Sequence, residues 1–244
     1  MALHFLVEDA SAAIGGVVVL SGPEAHHAAS VRRVRAGEEV TVGDGRGTWL
    51  TGEVASVAAR EVAVRVTQRA ERPAPAPRLV LAQALAKGDR DELAIQAATE
   101  LGVDEVVPWQ AARSVSRWDA AKAVKGVARW TAIVREAAKQ AHRAWVPVVS
   151  APATTAQLAA RAAHARVLVL EPTASAPLTG ITIDAADGRD LVLVVGPEGG
   201  ITPDELTMLA AAGAELVRLG DTVLRTSTAG PAALALLDGA LGRW

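Results

Sequence analysis

The fold class that the sequence predicts is α/β in two parts: a small N-terminal β-barrel and a larger C-terminal domain on a largely parallel sheet. Three features predict it. Residues 1–69 form short Val-rich runs punctuated by Gly-Gly, Asp-Gly and Gly-Pro turn signals. Residues 70–77, AERPAPAP, alternate three prolines, which favours a stiff extended connector. Beyond them, continuous Val/Leu runs alternate with helix-like stretches, the pattern of strands covered by helices on both faces. The expected division is 1–72 and 73–244.

In order, LHFLV (3–7) and VVVL (17–20) read as strands. PEAHHAASV (23–31) reads as a helical insert with Ser21 or Gly22 near its cap and Pro23 in its first turn, where a missing N–H is no loss. EEVTVGDGRGTWLTGEVASV (38–57) and REVAVRVTQ (60–68) complete the barrel. RLVLAQAL (78–85) opens the second sheet, followed by a helix over 89–101, VDEVVPW (103–109), a long helix over 119–143 and WVPVV (145–149). A helix over 154–164, RVLVLE (166–171), LVLVVG (191–196), a helix over 203–212, AELVRL (214–219) and a helix over 229–240 complete the pattern. Such sheets bind ligands at the carboxyl ends of their strands, so function is sought in the loops there.

Composition narrows the chemistry. With 244 residues, 50% apolar and 21% charged, disorder is excluded. The absence of Cys removes disulfides, thiolate zinc sites, iron–sulfur clusters and a cysteine nucleophile together. The five His are too scattered for a metal cage, and no metal is expected. Six Trp, one Phe and no Tyr argue against an RNA-stacking sheet of the RRM type. The N-terminus lacks the basic and apolar regions of a signal peptide, and no apolar run is long enough to span a bilayer. A soluble, cytoplasmic protein without a membrane partner is expected.

The most informative stretch is LVLVVGPEGGITPDEL (191–206): a buried strand, a glycine loop, then Thr202-Pro203-Asp204-Glu205, a helix start with a capping box. Glycines let a backbone approach a ligand closely and expose its N–H groups. No Lys-Ser or Lys-Thr follows, so this is not a phosphate-binding P-loop, and from shape alone a tight βα turn is an equal reading. LGDTVLRTSTAG (219–230) repeats the strand–turn–helix plan. There Thr226, Ser227 and Thr228 either cap the helix, which their spacing favours, or hydrogen-bond a ligand, and Arg225 either pairs with Asp221 or reaches an anionic substrate.

Several ordered motifs resemble one family. They are HHAASVRRVRAGEEVTVGDGRG (26–47), KGDRDELAIQAATELGVDEVVPW (87–109), RSV (113–115), RW (129–130), EAAKQAHR (136–143), GPEGGITPDE (196–205) and LGDTVLRTSTA (219–229). Together they resemble the RsmE-type ribosomal RNA small-subunit methyltransferases of the SPOUT superfamily, nearly end to end. The resemblance implies a PUA-like RNA-binding barrel, a SPOUT domain with a trefoil knot, a homodimer, and S-adenosylmethionine-dependent methylation of uridine N3 in 16S rRNA of the small subunit. It places the cofactor against Leu170, Glu171, Gly196, Pro197, Glu198, Gly199, Gly200, Leu219, Gly220, Leu224, Arg225, Thr226, Thr228 and Ala229. The chain departs from the family pattern at Ser227, where a Glu is usual, and at Ala97, where a Lys is common.

Methylating uracil N3 requires positioning, removal of a weakly acidic proton and stabilisation of the anion left behind. Glu198 and Glu171 are candidate bases by type, and Arg225 a candidate for holding negative charge; Arg225 and Glu198 are taken as the catalytic pair. A helix-N-terminal carboxylate is the plain structural alternative for Glu198. The net charge of −2 conceals an uneven distribution: residues 113–143 carry eight basic and two acidic groups. Arg113, Arg117, Lys122, Lys125, Arg129, Arg135, Lys139 and Arg143 are expected to contact RNA phosphates, as are Arg32, Arg33 and Arg35 in the barrel. A solvated helix face is the bland alternative. A substrate uridine must be unpaired or flipped, which predicts activity on an assembled subunit or structured fragment. The rival readings are a SPOUT enzyme with another RNA target and a non-catalytic rRNA-binding assembly factor.

Overall fold

The computed structural model describes residues 2–184 and 187–244. They divide into two compact units, Met1–Ala74 with Ala138–Val146, and Pro75–Ala137 with Pro147–Trp244.

The first unit is a five-stranded mixed sheet. Its strands are β1 (Leu3–Leu6), β2 (Val17–Ser21), β3 (Glu39–Gly43), β4 (Thr48–Ala58) and β5 (Glu61–Glu71), in the order β1-β3-β4-β5-β2. β1 runs parallel to β3 and the other pairs are antiparallel. Phe5, Leu20, Val40, Val42, Leu50, Val62 and Val64, from all five strands, share one core, so the sheet curls around it as a half-barrel. Helix α1 (Gly22–His26) continues into a wider-wound turn, His27–Val31. Ser21 is its N-cap, but the side chain makes no capping bond. The 38–57 stretch turns at its Asp44-Gly45 signal, between β3 and β4, because Asp44 Oδ1 accepts from the N–H groups of Arg46 (2.7 Å) and Thr48 (3.2 Å). β5 reaches Glu71, two residues into the stretch read as connector.

Residues 138–146 return to this unit. Val146 N–H donates to Gly45 O (2.9 Å), Gly47 N–H to Ala144 O (3.0 Å) and Trp145 Nε1 to Arg72 O (3.0 Å). Gly47 sits at φ +106, and a Cβ there would fall 2.7 Å from Arg72 O, so only glycine allows this approach. His4 stacks on Trp49 (centroids 4.3 Å apart), hydrogen-bonds Thr41 Oγ1 (2.9 Å) and has the His142 ring 5.7 Å away. Burial, then the neighbouring positive fields of His142 and Lys139, push its pKa down from 6.5 to about 3.

The second unit holds β6 (Leu79–Ala84), α2 (Arg90–Glu100), β7 (Glu105–Trp109), α3 (Ala120–Gln140), whose last residues belong to the first unit, β8 (Val148–Val149), α4 (Thr155–Ala160), β9 (Arg166–Leu170), β10 (Ala176–Pro177), β11 (Leu191–Val195), α5 (Pro203–Ala211), β12 (Glu215–Arg218) and α6 (Thr226–Ala240). The sheet order is β10-β12-β9-β11-β6-β7-β8, with every pair parallel. The central strands β6, β9 and β11 are buried on both faces, which is why they read as unbroken apolar runs. From β11 the chain crosses through α5 to the far side of β9, and α6 comes back to pack on α2, β6 and β11. That reversal brings the turns after β9, β11 and β12 to one carboxyl edge.

Two differences follow from local chemistry. β8 is shorter than the WVPVV run, since Trp145 is bound to Arg72 in the first unit. α6 begins at Thr226, not 229, and carries Pro231 inside it. The helix tolerates this proline in its second turn, where a single backbone bond is lost.

Candidate functional site

The turns after β9, β11 and β12 enclose a cavity of about 410 Å³. Its walls are Leu170–Pro172 after β9, Val195–Glu198 with Gly200 and Ile201 after β11, Arg218–Gly220 and Thr222–Thr226 after β12, Ala229 of α6 and Arg90 of α2. Of the cofactor residues expected from the sequence, Gly199 and Thr228 do not line it; the other twelve do. Thr228 is exposed, with its N–H on Arg225 O (2.8 Å). Arg90, Pro172, Val195, Ile201, Arg218, Thr222 and Val223 are walls that motif matching missed. Arg90, Ile201, Thr222 and Val223 lie inside matched motifs, and Val195 and Arg218 adjoin them at strand ends. Arg90 arrives only because β6 lies beside β11, which no local pattern reveals.

The glycine loop is fastened on several sides. Gly200 N–H donates to Pro197 O (2.9 Å), closing a tight turn, with Gly200 at φ +72. A Cβ on Gly196 would fall 2.7 Å from Ile201 Cγ1 and one on Gly199 3.2 Å from Arg113 Cβ. Arg113 Nη1 donates to Gly199 O (3.0 Å). Thr226 Oγ1 donates to Gly196 O (2.8 Å) and accepts from Gln83 Nε2 (2.9 Å), so this hydroxyl ties α6 to the loop and does not cap its helix. Thr202 and Glu205 form the expected capping box. Glu205 Oε1 also accepts from Ala112 N–H (2.8 Å) and Thr155 Oγ1 (2.9 Å), fixing three segments at once. Burial alone would raise the Glu205 carboxyl; donation by Ala112, Thr202 and Thr155 outweighs it and holds the group below the usual carboxylate range.

The ionisable walls divide by partner. Glu198 Oε1 accepts from Lys87 N–H (2.9 Å) and from Arg90 Nη1 (3.3 Å), tying the glycine loop to the turn after β6. Glu198 therefore caps no helix: its carboxylate is engaged across the sheet edge. Glu171 Oε1 accepts from Thr173 N–H (3.1 Å) and Oγ1 (2.8 Å). Arg218 donates to the carbonyls of Ala174 and Ser175 and lies 3.9 Å from Asp221. Asp221 thus faces Arg218, not Arg225. Arg225 is exposed, is the N-cap of α6, and has no side-chain partner recorded among the described residues.

The basic residues fall into several different settings. Arg32, Arg33 and Arg35 are exposed on the turn after α1, Arg33 at φ +53. Arg113 holds Gly199, and Arg117 donates to Ala112 O (2.8 Å). Arg117, Lys122, Lys125 and Arg129 line a second cavity, where Arg129 is doubly hydrogen-bonded to Glu92. Arg135 and Arg143 are half-buried. Lys139 is a correction: it is 6% exposed and its Nζ lies 2.8 Å from Glu24 Oε1, an ion pair inside the first unit that no phosphate can reach. On α6, Ala233, Leu234 and Leu237 are buried within their own unit, while Leu236 is 40% exposed.

A family model for the RNA methyltransferase domain matches residues 72–238, and one for the RNA methyltransferase PUA domain matches residues 20–67. The chain is 45% identical over 235 residues to ribosomal RNA small subunit methyltransferase E of Mycobacterium bovis, covering 94% of this chain and 89% of that one. A ribosomal RNA small subunit methyltransferase E from Neisseria gonorrhoeae, solved bound to S-adenosyl methionine, superposes with a TM-score of 0.86 at 27% identity over 98% of both chains. A Legionella pneumophila chain solved in complex with the same cofactor matches with a TM-score of 0.86, 27% identity and 98% coverage of both. No described helix is long and apolar enough to cross a membrane. With the domain model spanning most of the length and a relative this similar along nearly all of it, the chain belongs to the ribosomal RNA small subunit methyltransferase E family.

Proposed function

We propose that this chain methylates N3 of an unpaired uridine in 16S rRNA, with S-adenosylmethionine as methyl donor. The observation that carries the reading is the convergence of three carboxyl-edge turns on one pocket with an unpartnered Arg225 in its wall. The names of the relatives and the cofactor bound in two of the similar structures agree with it.

The residues present fit that cofactor. At about 410 Å³ the pocket is in the range of small-ligand sites. Leu170, Val195, Ile201, Leu219 and Leu224 provide apolar walls for a purine, and Gly196 and Gly200 leave backbone room beside it. Glu171 is suited to accept from ribose hydroxyls, since carboxylates are strong acceptors. When bound, the cofactor supplies a methyl group carried on a positively charged sulfur. The remaining tasks belong to the chain: to place the base, exclude water and hold the charge that appears on uracil when N3 loses its proton. Arg225 holds that charge, because its guanidinium offers several donors and no described residue neutralises it.

Glu198 acts in this scheme as a positioning residue that fastens the loop through Lys87 N–H and Arg90. Glu198→Gln keeps an acceptor for Lys87 and is expected to leave kcat within about threefold while raising the KM for cofactor, whereas loss of a true general base costs about 10²–10⁴-fold. Initial-rate kinetics separate the two, and a hundredfold fall in kcat would restore Glu198 as the base. The cofactor site is checked by calorimetry: wild type is expected to bind S-adenosylmethionine and Gly196→Ala to bind it at least tenfold more weakly, since the added methyl displaces Ile201. Mass mapping of rRNA from a strain lacking the protein is expected to show one unmodified uridine in the small subunit. Full modification there would reject the substrate. The homodimer is part of the same proposal, with exposed Val223, Leu224 and Leu236 as its apolar contribution; sedimentation at micromolar concentration is expected to give a dimer.

A further inference from the structure

Apart from the cofactor pocket, the second unit contains a cavity of about 490 Å³ beside α3. Its walls include Arg117, Trp118, Lys122, Lys125, Arg129 and Trp130, with Glu92 as the one carboxylate. Arg129 and Glu92 satisfy each other. Lys122 is 4.0 Å from Asp119, with both side chains about two-thirds exposed (67% and 66%), a contact that water screens heavily. Arg117 gives one N–H to Ala112 O, and no partner is recorded for Lys125 among the described residues. The cavity therefore keeps an excess of positive charge.

Its aromatic wall is built, not incidental. Trp130 is 1% exposed and meets Trp118 edge-on, with centroids 5.4 Å apart and planes at 72°. Trp118 lies across Gly126, where a Cβ would fall 2.5 Å from the ring, so a glycine in mid-helix is what lets the indole rest on α3. Lys122, Lys125 and Arg129 share that face by helical spacing. A solvated charge run would account for the lysines but not for a glycine-seated indole among them.

We propose that this cavity is a second RNA site that takes one unpaired nucleotide of the substrate strand, its base against Trp118 and its phosphodiesters on Arg117, Lys122 and Lys125. Unpaired bases stack on aromatic faces while flanking phosphates seek Lys and Arg, and the cavity joins both features. The loop that carries it also touches the glycine loop: Arg113 holds Gly199 O, and Ser116, three residues on, lines the cavity. At most about 11 Å of extended chain separates them. A strand seated here reaches the mouth of the cofactor pocket within a few nucleotides. The inference rests on the RNA-methyltransferase reading and specifies where the strand is gripped.

The test uses the full chain and single-stranded oligouridylate, with binding followed by fluorescence anisotropy. Lys122→Gln combined with Lys125→Gln is expected to weaken binding about tenfold near 0.1 M salt and to flatten the slope of log affinity against log salt by about 1.4, the value for two phosphates on a single strand. Trp118→Phe is expected to keep most of the affinity and Trp118→Leu to lose fivefold or more. Calorimetric affinity for S-adenosylmethionine is expected to be unchanged in the double Lys variant. Unchanged oligouridylate affinity and slope in that variant would overturn the proposal, as would polyglutamate displacing the RNA equally well. A wild-type chain that binds oligouridylate but not S-adenosylmethionine would instead defeat the cofactor reading and leave this site standing.

Discussion

Arg225→Ala is expected to lower kcat by about 10²–10³-fold, the cost of removing one donor aimed at developing negative charge. The basis is the division of partners in the pocket wall: Arg90 faces Glu198 and Arg218 faces Asp221 and two carbonyls, which leaves Arg225 as the wall cation with no side-chain partner among the described residues. A positive group with no neutralising partner among the described residues is available to an anion brought from outside. Its backbone at φ −65 and ψ 151 is the extended conformation of an N-cap, and Thr226 immediately after it is anchored to Gly196 O, so the side chain starts from a fixed point. Arg225→Lys keeps the charge and loses the planar fork, and an intermediate rate is expected. The alanine variant should also move the pH dependence of kcat upward, since the uracil anion is then harder to form. If kcat is unchanged and only cofactor affinity falls, Arg225 serves the cofactor and not the base.

The second large effect concerns the first unit and acid. In the folded chain the His4 pKa is pushed down from 6.5, the value of a solvent-exposed histidine, to about 3, with burial as the main cause and His142 and Lys139 adding to it. Below pH 6.5 the unfolded chain binds a proton that the folded chain refuses, so stability is full above that value and falls with decreasing pH until about 3. The slope is about 1.4 kcal/mol per pH unit. Between pH 6.5 and 5, above the titration of ordinary carboxylates, the expected loss is about 2 kcal/mol. Hydrogen exchange of the β1 and β3 amides measures it, and His4→Gln should remove most of the dependence in that window. An equally steep loss in the variant would show that another group controls the transition. Lys139→Met is a useful companion, because it removes a positive neighbour of His4 but strands the half of its ion pair that Glu24 holds; a net loss of about 3–5 kcal/mol is expected.

Much of this architecture was legible in the residues. The Val/Leu runs at 79–84, 166–170 and 191–195 became the buried parallel strands because nothing but burial on both faces suits such runs. Thr202-Pro203-Asp204-Glu205 formed its capping box because cap chemistry is local. What failed to show was long-range. Lys139 sits in a helix repeat among other cations, and only the fold brings Glu24, far away in sequence, against it. Thr226 looks like a cap by position, yet Gly196 and Gln83 recruit its hydroxyl through strand order. α6 starts three residues earlier than its apolar pattern suggests and runs through Pro231, whose local preference the packed helix overrides. Arg90 and Arg218 reached the pocket by the same route, through sheet neighbours that periodicity does not name.

The glycine loop is pinned by the Arg113 guanidinium, by the Thr226 hydroxyl, and through Glu198 by the Lys87 amide. A binding surface held in shape from three directions has little freedom left to surrender when its guest arrives. Capture should then be rapid and nearly indifferent to mutation of the pins. Loosening any one of them should shorten the residence time, so variants at these anchors ought to differ in dissociation rate far more than in association rate.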